Sequence, residues 1–445
     1  MDEFGNQVIS SGFDINAYLA TIGSNPFAVS WWLFLHGGFI FFLWFAWFIF
    51  THLWLESRQH HYEHAKQWML LAIDIPRLHE QTPRAVENIF AHWAGAHGPS
   101  SWKEKWIDGR TQDTITVEIV SIEGHVQYLV WTTRGFRDLI EASIYAQYPD
   151  AEIVEVEDYT KKVPHHYPDS QWDLFGTEMI PVKDSLYPLR TYPEFEDKVS
   201  GELKDPMAVL LENMSRLGPG EQAWFQIVMT PIEQGEFRKK GETLIKKLTG
   251  QKIEHKETLA QKALDLPLST MNMVLQSTGL TGAPAAKKPD ANPLNSRMWT
   301  MTPGERKVVE AIENKISKIA YSCKMRCVLV AHKDKMKKSR FVHPFIGFIK
   351  QYNTNDMLAL KPESKKVGMN GTLWFFKDKR NNERKNRFIS AYSHRSNWAG
   401  VSSYYLNIEE LASLWHFPIS MQVKAPQLKK TEAKRSEPPI NLPFG

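Results

Sequence analysis

Three hydrophobic patterns succeed one another along the chain. The first is unbroken: residues 31–50, WWLFLHGGFIFFLWFAWFIF, carry no formal charge. A run of about 20 apolar residues matches the ~30 Å hydrocarbon thickness of a bilayer. His36 and the Gly37–Gly38 pair do not outweigh the surrounding Leu, Ile and aromatic side chains. The run is too long and too aromatic for a signal-peptide core, and no small-residue cleavage site follows it. It predicts a membrane helix over 27–56, preceded by an extracytoplasmic segment 1–26 and followed by a juxtamembrane linker 57–66. Residues 1–50 contain no Lys or Arg, whereas Arg58 and Lys66 follow closely. The positive-inside rule then predicts a single-pass protein of the inner membrane, N-terminus outside and the bulk of the chain cytoplasmic.

The second pattern mixes periods of 2 and 3.6. Residues 67–76 read as a strand. Thr82 and Pro83 supply an N-cap and a first-turn proline, and Val86, Ile89, Phe90 and Trp93 recur at helical spacing. Ile115, Val117 and Ile119 alternate along 114–122, and Glu123–Gly124 turns the chain into 125–131, which predicts a hairpin. Phe136, Leu139, Ile140 and Ile144 mark a second helix, and 151–158 closes the unit as a strand. The order β-α-β-β-α-β over 67–162 is the ferredoxin-like pattern.

The third pattern, over 163–422, is less regular. It opens with a Pro- and Tyr-rich connection. Asp205–Pro206 starts a helix that ends near Gly218-Pro219-Gly220, residues 223–229 form an apolar strand, and 236–248 are helical. Between about 250 and 300 the period is lost, and TGAPAAKKPDANPLN (281–295) predicts a mobile insertion. Thr302 and Glu305 then make a capping box ahead of the stripe Val309, Ile312, Ile316 and Ile319. A strand over 325–331, an amphipathic segment over 345–352, the strand TLWFF (372–376) and a basic helix near 380–392 follow. Asn407 and Glu410 cap a last helix with Ile408, Leu411 and Leu414 inward, before a flexible tail, 423–445. The fold class expected is α+β: one N-terminal transmembrane helix, then tandem ferredoxin-like cytoplasmic domains, the second interrupted by the insertion.

The net charge of +4 matters less than its distribution. Residues 138–159 are acidic, and 324–340 and 377–387 are basic. Lys333, Lys335, Lys337, Lys338, Arg340, Arg380, Arg384, Lys385 and Arg387 are the candidates for contact with a partner or with nucleic-acid phosphates, with Tyr352, Trp374, Phe375 and Phe376 as bases' stacking partners. The plainer reading of such runs is a solvated helix face beside a core strand. Cys323 and Cys327 cannot make a disulfide framework or a complete zinc site and read as two buried thiols.

Residues 60–64, HHYEH, match H-x-x-E-H, in which His60 and His64 would share a metal and Glu63 would serve as base of a membrane-bound metallohydrolase. The competing reading is a hydrated juxtamembrane helix among lipid headgroups. A phosphate-cradling loop needs G-x-x-x-x-G-K-[ST], and GLTGAPAAKK (279–288) and KKLTGQK (246–252) both miss that spacing. No cofactor is expected.

Several stretches, in order, resemble a known family: FRDLIEASIYAQYPDAEIVEVEDY, QAWFQIVMTP, TPGERKVVEAIENKISK, FIKQYNTNDMLALKP and LNIEELASLWHFP followed by PPINLP. Together they are similar to the N-terminal, pre-motor region of bacterial conjugation and type IV secretion ATPases, across roughly 66–443 without the insertion. In that family a P-loop motor follows the phrase similar to PPINLP, and no Walker residues are present here to carry over. The resemblance implies a non-enzymatic scaffold, held in the bilayer, that self-associates and docks a separately encoded secretion or conjugation ATPase. A direct nucleic-acid-binding module is the further alternative.

Overall fold

The computed structural model describes residues 27, 30, 31, 34, 38–76, 81–196, 204–251, 301–369 and 375–418. The expected N-terminal segment 1–26, nearly all of the insertion at 250–300 and the tail from 423 lie outside the described residues, as do 372–374 of the expected strand. The chain divides into two compact units. One comprises residues up to Lys66 with Pro99–Thr111, the other Gln67–Gly98 with everything from Gln112.

The first unit is built on helix α1, Phe39–Ala65. It is long and apolar enough to cross a membrane, and none of its residues is buried within the protein. The linker expected from residue 57 is a continuation of this helix, because ESRQHHYEHA contains neither Gly nor Pro to stop it. Lys66, in extended conformation, ends it.

Among the described residues, the second unit is built on a single antiparallel sheet of nine strands. These are β1 (Trp68–Asp74), β2 (Ile115–Ile122), β3 (His125–Thr133), β4 (Glu152–Val156), β5 (Trp172–Pro181), β6 (Glu221–Pro231), β7 (Ala320–His332), β8 (Leu360–Pro362) and β9 (Tyr404–Asn407). Eight follow the order β4-β1-β3-β2-β6-β7-β5-β8, and β9 pairs with β7. The first four strands and the next four thus repeat one permutation. The halves are not separate bodies: β2 pairs with β6 along its whole length, from Ile115 opposite Met229 to Ile122 opposite Gln222. Residues on both sides of position 162 therefore contribute to one sheet.

Side chains alternate across this sheet, as a period of two requires. Ile115, Val117 and Ile119 on β2, Ala223, Phe225 and Ile227 on β6, and Cys323, Met325 and Cys327 on β7 enter one core. Helices α2 (Pro83–Trp93), α3 (Arg137–Gln147), α4 (Met207–Ser215) and α7 (Lys338–Gln351) contribute buried residues to it. The two thiols are free and buried there, and burial pushes both up. Leu70, Val120, Trp224 and Val328 face the opposite side and meet Phe388, Ile389 and Tyr392 of α8, Lys377–Ser393. Helices α5 (Gln234–Leu248) and α6 (Pro303–Ser317) pack against each other where Gly241 approaches Ile316.

Two expectations need correcting. The connection read over 163–204 contains β5, which lies between β7 and β8 in the sheet. Its sequence, WDLFGTEMIP, hides the strand because Asp173, Gly176 and Glu178 break the apolar alternation. Gly176 is required: a Cβ there would lie 2.2 Å from the ring of Phe388. Second, Phe375 and Phe376, the described part of the expected strand 372–376, form a turn leading into α8, and both are strongly exposed.

The closing segment was legible in detail. Asn407 and Glu410 form the capping box of α9, Ile408–Leu414. Glu410 also pairs at 2.9 Å with Lys315, both side chains fully buried. Burial lowers the Lys315 ammonium and raises the Glu410 carboxyl, so each depends on the other for its charge. Beyond the helix, His416 sits 3.0 Å from Asp205, again buried. Burial acts to lower the His416 imidazolium, but the charge of Asp205 and its hydrogen bond outweigh it, and the net shift is upward. A base whose folded pKa exceeds its unfolded value of about 6.5 stabilises fully below that pH and ceases to do so as pH rises through the folded value. For the full chain in detergent, the Tm gap between wild type and His416→Gln is expected to be largest at about pH 6 and to narrow as pH rises. A gap independent of pH would show that His416 contributes no charge.

Candidate interaction site

A row of polar side chains crosses the α8-facing side of the sheet. In register, Glu118 of β2 lies opposite Gln226 of β6, Gln226 opposite Arg326 of β7, and Arg326 opposite Glu178 of β5. All four are buried. Gln226 Nε2 donates to Glu118 Oε1 at 2.7 Å, Arg326 Nη1 to Gln226 Oε1 at 3.3 Å, and Arg326 Nε to Glu178 Oε1 at 2.8 Å. Buried amide and charged groups persist only when paired.

The row holds a loop, residues 394–401, that follows α8. Arg395 reaches back to Glu118 (Nε to Oε1, 3.0 Å), pairs with Asp158 and stacks 4.1 Å from the ring centroid of Trp131. Burial works against its charge, but Glu118 and Asp158 outweigh it, and the guanidinium is held well above its ordinary range. The same contact keeps Asp158 low against the effect of its own burial. Arg395 takes φ +49°, a conformation that costs a non-glycine residue energy and persists where surroundings fix it.

Beyond Arg395 the loop's carbonyls turn inward. Arg326 Nη2 donates to the carbonyls of Ser396 (2.6 Å) and Ala399 (3.1 Å), and Lys324 Nζ to those of Asn397 and Ala399 (2.7 Å each). Burial, helped by Arg326, brings the Lys324 ammonium down to about 8, so it is still largely charged at neutral pH. Val401 N–H donates to Glu178 Oε2 at 2.7 Å, and Gly400, at φ +92°, lies where a Cβ would be 2.3 Å from that oxygen. Glu118, Asp158 and Glu178 thus balance Lys324, Arg326 and Arg395. With its backbone consumed from below, the loop presents Trp398, which is 79% exposed. A large indole held on a fixed loop has the chemistry of a binding hot spot, because little conformational freedom remains to be lost on contact.

The candidates read from sequence are scattered by comparison. Lys324 and Arg326 of the basic run 324–340 point into the protein. Lys335 Nζ donates to the Pro219 carbonyl at 2.8 Å, Arg340 pairs with Glu221 at 3.0 Å, and Lys338 lies 5.3 Å from the Phe175 ring centroid. Lys385 pairs with Asp173, and Arg384 binds the carbonyls of Gly368 and Lys365. Lys333, Lys337, Arg380 and Arg387 are exposed and make no ion pair among the described residues. On α1, His60 and His64 bring their Nε2 atoms to 3.1 Å, while Glu63 is engaged by Lys66 and Thr111. Among the described residues, no group of three His, Cys, Asp or Glu side chains is placed to hold a metal.

Sequence reading missed the row and the loop. The signal was a polar residue at the centre of each apolar strand: Glu118 in ITVEIVSI, Gln226 in EQAWFQIVMTP and Arg326 in AYSCKMRCVLVAH.

Among the described residues, these features define a mixed α/β protein with one helix apolar enough to cross a membrane and an antiparallel sheet that anchors an exposed tryptophan loop. The family model described as Domain of unknown function (DUF8128) matches residues 76–431, and the chain belongs to that family. No curated protein matches it.

Removing one partner of a buried ion pair leaves the other charge uncompensated and costs about 3–5 kcal/mol. Glu178→Ala is therefore expected to destabilise the full chain by about that amount in denaturant unfolding. Glu178→Ala with Arg326→Met should cost less than the sum of the single changes. Strict additivity would mean that the two side chains are not coupled.

Proposed function

We propose that this protein is a non-enzymatic scaffold of a type IV secretion or conjugative DNA-transfer machine, anchored in the inner membrane by α1 and docking a P-loop motor ATPase. The observation that carries the docking role is the clamped loop with Trp398 at its tip, since a fixed, exposed indole is the kind of anchor that dominates protein interfaces. The secretion assignment rests on the ordered resemblance over roughly 66–443 to the pre-motor region of those ATPases.

The strand permutation supports the same reading. Within each half, β4-β1-β3-β2 and β8-β5-β7-β6, the chain order is strand, helix, two strands, helix, strand once α5 and α6 are set aside as an insertion. We read these as tandem ferredoxin-like units fused through β2 and β6. The Lys/Arg-free N-terminal 50 residues favour an external N-terminus, with both units in the cytoplasm.

In detergent, the full chain is expected to capture a P-loop secretion motor encoded in the same genome, more weakly as salt rises. Trp398→Ala should weaken capture by about 2 kcal/mol, roughly 30-fold, without lowering Tm. Failure to capture any such motor, with tight binding of single-stranded DNA instead, would replace the scaffold by a nucleic-acid module. For topology, a reporter active only outside the membrane and fused after Gly445 is expected to be silent. A signal from that fusion would reverse the orientation.

A further inference from the structure

The segment Pro99–Thr111 belongs to the same compact unit as α1, although β1 and α2 separate them in sequence. Its contacts run along the C-terminal part of that helix. Trp54 Nε1 donates to the carbonyl of Trp106 at 3.0 Å. Gly109, at φ +72°, comes so close to Arg58 that a Cβ would lie 2.3 Å from its backbone carbonyl carbon. Lys66 Nζ donates to Thr111 Oγ1 at 3.1 Å, and Glu63 joins them. Within the segment, Ser101 N–H donates to Glu104 Oε2 at 2.7 Å and Arg110 pairs with Glu104 at 3.0 Å, fixing a single turn over Glu104–Asp108.

These contacts fix the turn's depth along the helix axis. No formal charge occurs from Phe39 to Leu55, and Glu56, two positions beyond Trp54, is the first charged residue of the helix. At 1.5 Å per residue Trp54 sits about 3 Å before that charge, at the end of the apolar run where hydrocarbon gives way to lipid headgroups. The turn held to Trp54 exposes Trp102 (72%), Ile107, Lys103 and Lys105. Indoles concentrate at that level, aliphatic side chains enter the acyl boundary, and lysines extend their ammonium toward headgroups. A charged surface turn exposed only to water would gain nothing from presenting Trp102.

We infer that residues 99–111 form a second membrane-contact element, an interfacial clasp that inserts Trp102 and Ile107 among lipid headgroups beside α1. The inference rests on the reading that α1 spans the bilayer, and its occupant is the lipid surface itself. Through the clasp, a chain with one spanning helix would touch the membrane at two points along its sequence.

Full-length Trp102→Cys carrying an environment-sensitive fluorophore, reconstituted in vesicles of zwitterionic and anionic phospholipid, tests it. Cys323 and Cys327 are buried in the sheet and should remain unlabelled. The expected result is a blue-shifted emission quenched by lipid-bound nitroxide at headgroup depth more than by nitroxide deep in the acyl chains. A parallel Phe45→Cys label should show the reverse depth preference. If the label at 102 responds only to an aqueous quencher while the label at 45 responds to deep nitroxide, the clasp is overturned and the spanning helix stands. A blue-shifted label at 102 that ignores lipid nitroxides means that protein covers Trp102, and also overturns the clasp. A label at 45 that ignores them too removes both readings.

Discussion

Burying a charge is tolerable only when its counter-charge is buried with it, and six charged side chains are gathered under α8 by that rule. Glu118, Glu178 and Asp158 face Lys324, Arg326 and Arg395, with Gln226 bridging two of them. Apolar side chains of similar volume could support such a sheet equally well. What they would not supply is a unique register. Slipping β6 or β7 by one residue would turn Gln226 or Arg326 into the opposite core, among Phe225, Ile227, Met325 and Cys327. The row also decides the path of the chain after α8, because the loop's carbonyls are the acceptors that Lys324 and Arg326 need. Sheet register and the position of Trp398 are two outcomes of one electrostatic requirement.

The residues on which the proposed likeness to secretion ATPases rests play a different part from those at the loop. In LNIEELASLWHFP, Asn407 caps, Glu410 meets Lys315, Glu409 meets Lys318, Ser413 accepts from the Tyr192 N–H and His416 meets Asp205. Trp415 packs between Phe90, Tyr128 and Phe417. Nearly every side chain is spent on packing the end of the chain against α2 and the sheet. These residues therefore serve to close the core, and none of them is exposed for a partner.

Local signals were readable where neighbours in sequence are neighbours in space. The hairpin β2–β3 turns on Glu123 and Gly124, both at positive φ, and both capping boxes lie within four residues. Strand β5 was not readable because its irregular residues are explained by distant ones: Gly176 by Phe388, and Glu178 by Arg326 and Val401. Strands β8 and β9, of three and four residues, are too short to show a period. The polar residues inside apolar strands were visible as anomalies. Their partners could not be named, since nothing local links Glu118 to Arg395.

That last pair has a consequence for how the protein is made. Glu118 and Arg395 are 277 positions apart, so at the 5–20 residues per second typical of synthesis the carboxylate waits on the order of tens of seconds for its guanidinium. During that interval the nascent sheet can collapse on its apolar face, but its other face carries an unpaired acid and keeps water. The α8-facing side of the sheet closes only once the loop that displays Trp398 has been synthesised.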